Sequence, residues 1–130
     1  MPVIRFNNWE SEGRTSLFRG QRLVTEAVGA KSLTTGLTRF QPGARIRLHY
    51  HDCEEQVTIV EGKGVAIIDG ERVELNTFDT TYVAAGVPHH FMNESDKPMA
   101  ILYIYPSNKP GRHELEPDSM ATATVPIKGS

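Results

Sequence analysis

The residues most able to do chemistry are two histidines separated by one residue, His49 and His51, with a carboxylate, Glu55, four positions further on. In an extended segment residues two apart point to the same face, so a strand over Arg45–His51 projects both imidazoles together. The chain then turns at 52–54 and Glu55 begins a returning strand, on which Glu55, Val57 and Ile59 share a face. Two imidazoles and a carboxylate thus meet at the mouth of a hairpin. The best candidate for a fourth ligand is His89, just after the turn formed by Gly86, Val87 and Pro88. Neutral imidazole and carboxylate suit one divalent first-row metal ion: Zn, Mn, Fe, Ni, Co or Cu. On an ion that accepts six donors, four protein ligands leave two positions for water, substrate or oxygen.

Other side chains are secondary candidates. Arg45 and Arg47 share the parity of His49 and His51, and if they line the pocket they favour an acidic substrate, since a buried guanidinium needs an anion. A bulge or strand end that turns them to solvent is the plainer reading. Phe91 is a candidate for the substrate wall. A general base or acid is unassigned, with Glu55, Tyr82 and Tyr105 as candidates. His90 should face away from His89, His113 lies in a polar tail, and Cys53 reads as a turn residue.

These residues need strands to hold them. Short runs of Val, Ile, Thr, Tyr and Phe alternate with Gly, Pro, Asn and Asp. Strands are predicted at Leu23–Val28, Ser32–Phe40, Arg45–His51, Glu55–Val60, Val65–Asp69, Glu71–Leu75, Thr80–Val83, His89–Asn93 and Met99–Tyr105. Asp69-Gly70 between two such runs is a two-residue hairpin signal. No helical periodicity of useful length competes. The pattern predicts an all-β sandwich or barrel over 23–106. An N-terminal arm or edge strand precedes it over 1–22. A C-terminal tail over 107–130 follows, partly flexible or packed on a partner subunit, with a further strand possible at Thr122–Val125.

The segment from Gly43 to Gly62 resembles the first cupin motif, G-x5-H-x-H-x3-E-x6-G, without a deviation in spacing. Phe78 to Asn93 resembles the second, G-x5-P-x-G-x2-H-x3-N, keeping Gly86, His89 and Asn93 but carrying Phe78 for a glycine and Ala84 for the proline. The resemblance implies a double-stranded β-helix, a jelly-roll-like barrel with one divalent metal inside, and commonly a homodimer. Carried over by position, the ligands are His49, His51, Glu55 and His89, with Asn93 closing a turn. Among small single-domain cupins are polyketide cyclases, sugar-acid isomerases and dioxygenases. The expected function is metal-assisted isomerisation, cyclisation, lyase or dioxygenase chemistry on a small oxygenated metabolite, carboxylated ones included. The alternative is a non-catalytic ligand binder similar to auxin-binding cupins.

Composition narrows the partners. A formal charge of -2 and a pI near 6.2 give no electrostatic reason to expect nucleic acid or an anionic membrane. No apolar run reaches a membrane span and no basic-then-apolar leader opens the chain. One cysteine rules out an intrachain disulfide, so a cytoplasmic protein acting on a small molecule is expected.

Overall fold

A computed structural model describes residues 1–11 and 17–115. The strand considered at Thr122–Val125 and most of the expected tail lie outside the described residues. Eleven strands are present among those described: β1 Glu10–Ser11, β2 Phe18–Arg22, β3 Thr34–Phe40, β4 His49–Tyr50, β5 Glu55–Glu61, β6 Gly64–Ile68, β7 Glu71–Leu75, β8 Thr80–Val83, β9 His89–Met92, β10 Met99–Tyr105 and β11 His113–Glu114. They form two antiparallel sheets, β1-β2-β3-β10-β5-β8 and β11-β4-β9-β6-β7, whose inner faces enclose the core. Among the described residues no helix is long and apolar enough to cross a membrane.

Alternation drives this closure. In β3 and β5 every second side chain is buried, and in β10 Met99, Ile101, Tyr103 and Tyr105 all point inward. Phe18, Phe40, Ile46, Val57, Ile59, Phe91 and these β10 residues form one cluster, with Phe18 and Phe40 edge to face at 5.4 Å. Each such side chain contributes about 1.5–3 kcal/mol by leaving water. The β6–β7 hairpin turns on Asp69 and Gly70, both at positive φ as a type I′ turn requires.

Two expected strands differ. Leu23–Val28 is not a strand. The paired segment is Phe18–Arg22, in register with Gly36–Phe40, because that places Phe18 opposite Phe40 in the core. Glu26–Val28 instead forms a single 3-10 turn, capped by the Thr25 hydroxyl and ended by Gly29 at φ 93. The expected Arg45–His51 strand is interrupted. Ala44 just before it and Ile46 within it are buried, then His49 and His51, so the inward parity changes between Ile46 and His49. Arg45 makes only an isolated bridge to Met92, and β4 is reduced to His49–Tyr50, with His49 directly opposite His89.

Candidate metal centre

That change of parity decides which side chains enter the barrel. His49, His51, Glu55 and His89 are all at most 2% exposed, on β4, the turn after it, β5 and β9. One ligand nitrogen from each of the three histidines lies within 4.8 Å of the others. Glu55 Oε1 lies 2.8 Å from His89 Nε2 and 3.9 Å from His51 Nε2. The expected convergence of a hairpin and a distant histidine is therefore present.

The tautomers follow from backbone contacts. Nδ1–H of His49 donates to the Arg47 carbonyl at 2.6 Å, that of His89 to Val87 at 2.9 Å, and that of His51 to Gly111. A neutral ring that donates from Nδ1 presents a lone pair at Nε2, so three lone pairs face the interior. His49 Nε2, His89 Nε2 and both Glu55 oxygens are buried without a hydrogen-bond partner. The 2.8 Å approach of Glu55 to His89 becomes an ion pair only if that ring is protonated. Otherwise two acceptors face each other and need a cation between them. Burial, reinforced by the charge of Arg112 and by His89, holds His49 well below the usual histidine range. Burial also lowers His51, with Glu55 opposing. The donors present are thus three imidazoles, two of them held low by burial, with one carboxyl group, a set that fits a divalent cation.

Tyr105 completes the wall. Its hydroxyl donates to His51 Nε2 at 3.0 Å, and burial, with the Glu55 charge adding, pushes the phenol well above its usual range. Phe91 lies one layer below His89, with ring centroids 6.2 Å apart, fully buried in the core. Asn93 closes its turn: Nδ2 donates to Phe40 and Lys97, while Oδ1 accepts from the Ser95 amide and hydroxyl. His90 is buried and hydrogen-bonded to the Ile46 carbonyl. Cys53 packs against the core, and burial raises its thiol.

Three candidates fall elsewhere. Tyr82 is 65% exposed, because β8 buries Thr81 and Val83 and turns Tyr82 outward beside Gln56, opposite to the Glu55 face. Arg45 and Arg47 are excluded from the histidine face by the parity change: Arg45 reaches Met92 Sδ, and Arg47 pairs with Glu114 at 3.5 Å.

A contribution missed in the sequence comes from residues 110–115, a strap laid along β4. The Asp52 amide donates to the Pro110 carbonyl, the Leu115 amide donates to the Leu48 carbonyl, and His113 Nε2 lies 2.9 Å from the Asp52 carboxylate while its ring stacks on Tyr50. Gly111, whose carbonyl orients His51, has φ 67, and a Cβ there would collide with the Asp52 carboxylate. Arg112 is half-buried beside the centre. The only sequence signal for this strap was the Pro110-Gly111 turn.

A two-sheet β-barrel with inward imidazoles and a carboxylate at one end defines a barrel with a candidate metal centre. The model of the Cupin domain matches residues 36–105, and the chain belongs to the cupin family. It is similar to the tetracenomycin polyketide synthase protein TcmJ of Streptomyces glaucescens, 27% identical over 82% of this chain and 75% of that protein. It is also similar to the polyketide synthase protein CurC of Streptomyces cyaneus, 34% identical over 62% of this chain and 53% of that protein, so the match spans about half of CurC. Among solved structures, the polyketide cyclase RemF from Streptomyces resistomycificus superposes with a TM-score of 0.76 at 17% identity, covering 91% of this chain and 89% of RemF. At that identity the likeness establishes the fold.

Proposed function

We propose that this chain is a metal-dependent enzyme acting on a small oxygenated substrate by non-redox carbonyl chemistry, cyclisation or isomerisation, with His49, His51, Glu55 and His89 as ligands. The observation that carries this reading is the set of buried, inward-facing acceptors without hydrogen-bond partners: His49 Nε2, His89 Nε2 and the two Glu55 oxygens. Leaving such groups unsatisfied is costly, and a cation accounts for all of them together. When bound, a divalent ion supplies Lewis acidity that polarises a carbonyl and stabilises the negative charge of an enolate. The carbonyls of Arg47, Val87 and Gly111 hold the three rings in orientation. Tyr105 presents its hydroxyl at the wall beside His51 Nε2, and an ion held by that nitrogen would free the hydroxyl to donate to a substrate oxygen. The apolar layer of Phe91, Tyr103 and Ile101 beneath keeps water from the inner side. The similarity to polyketide synthase proteins supports a polyketone-like substrate.

The test is incubation of metal-replete protein with a panel of aromatic and linear 1,3-diketones, with and without oxygen. Product formed equally without oxygen, and lost in His89→Ala, is the expected result. Oxygen consumption coupled to product would replace this reading by a dioxygenase. Ligand-induced stabilisation with no product across the panel would replace it by a binder.

A further inference from the structure

We infer that a divalent ion and the Tyr105 hydroxyl compete for one lone pair, that of His51 Nε2, so that metal uptake displaces the tyrosine and couples loading of the centre to recognition of the substrate. This deepens the reading above and rests on it. The three inward nitrogens are not equivalent. His49 Nε2 and His89 Nε2 are buried without a hydrogen-bond partner, whereas His51 Nε2 accepts from the Tyr105 hydroxyl at 3.0 Å. Nδ1–H of His51 donates to the Gly111 carbonyl, which leaves Nε2 a single in-plane lone pair. A hydrogen-bond donor and a cation cannot both occupy it.

Tyr105 is held where it stands. Its strand, β10, is paired on both edges, by β3 and by β5, and its side chain is fully buried. The ring packs on His51 with centroids 4.6 Å apart and on Tyr103 with centroids 5.6 Å apart. A hydroxyl displaced from His51 therefore has no path to bulk water by a simple side-chain swing, and a buried donor left without an acceptor is costly. Burial, with the Glu55 charge adding, keeps the proton on the phenol, so the group stays a donor. Beside a loaded centre this donor lacks an oxygen, which is what a carbonyl or enolate substrate brings. The contact that opposes metal uptake in the metal-free protein thus becomes a specificity contact in the loaded one.

The probe is zinc alone, whose affinity is measured by chelator competition on wild type and Tyr105→Phe, both checked as folded by circular dichroism. Tyrosine absorption is followed during loading, since zinc itself does not absorb there. Tyr105→Phe removes the competing hydroxyl and keeps the ring, so zinc should bind about two- to tenfold tighter than in wild type, the worth of one neutral hydrogen bond. Loading of wild type should give a tyrosine difference spectrum that Tyr105→Phe lacks. A damaged wall would weaken zinc rather than tighten it, so equal or lower affinity in Tyr105→Phe overturns the competition. A wild type that loads zinc with no change in tyrosine absorption overturns it too, independently of any variant, and leaves the metal reading standing. A wild type that takes up no zinc overturns the metal reading and this inference with it.

Discussion

The hairpin that carries His49, His51 and Glu55 and the strap at 110–115 both shape the same centre, by different means. The hairpin acts through side chains anchored in the barrel: Glu55 sits on a seven-residue strand paired on both edges, by β10 and by β8. The strap acts through a backbone carbonyl, that of Gly111, held beside a two-residue edge strand. The hairpin supplies donors and the strap aims one of them. A donor buried in the barrel wall is hard to displace without unfolding the wall, whereas an edge strand held by a few exposed contacts can move by itself.

Breaking the strap while sparing the hairpin should give the largest effect. Gly111→Ala forces a side chain into left-handed backbone and against Asp52, at a cost of about 1–2 kcal/mol. Chelator competition should then show metal affinity falling about 10–100-fold, as for other losses of a ligand-orienting contact, with the fold retained by circular dichroism. Unchanged affinity would mean that the strap does not aim His51.

Acid should act on the hairpin side. His49 and His51 have folded pKa values below the unfolded value near 6.5, so the unfolded chain binds more protons over this range. Stability of the metal-free protein is therefore greatest above about pH 6.5 and falls as pH drops below it, by up to about 1.4 kcal/mol per pH unit for each histidine. Urea midpoints at pH 8.0, 6.5 and 5.5 measure this, and a flat profile would contradict burial of neutral rings.

The smallest effect sharpens the comparison by leaving both regions alone. Phe78 occupies the position of the second motif's glycine at φ 73, with its side chain 77% exposed. Phe78→Gly should relieve the left-handed strain and raise stability by about 1 kcal/mol in urea unfolding, without altering metal affinity.

The sequence made the barrel and the convergence of His49, His51, Glu55 and His89 legible, because strand alternation and motif spacing both act on side chains at fixed intervals. Asn93 as a turn residue was legible for the same reason. The parity change after Ile46 was not, since an extra residue in an irregular stretch leaves no mark in residue type, and it moved Arg45 and Arg47 off the expected face. The Leu23–Val28 segment carried strand-forming residues, but pairing of Phe18 with Phe40 determined which segment joined the sheet. Tyr82 followed the alternation of β8 outward. The strap was hidden because the Gly111 carbonyl acts through the backbone, which every residue shares, and because the pairing of β11 with β4 joins segments about 60 residues apart.

The most direct test of the account is metal analysis of the wild-type protein, His49→Ala and His89→Ala after exposure to Zn, Mn, Fe, Ni, Co and Cu and removal of loosely held ions. The account predicts about one divalent ion per wild-type chain and a large loss in both folded variants. A wild type that retains none of these ions, or a His49→Ala protein that keeps the full complement, would contradict it.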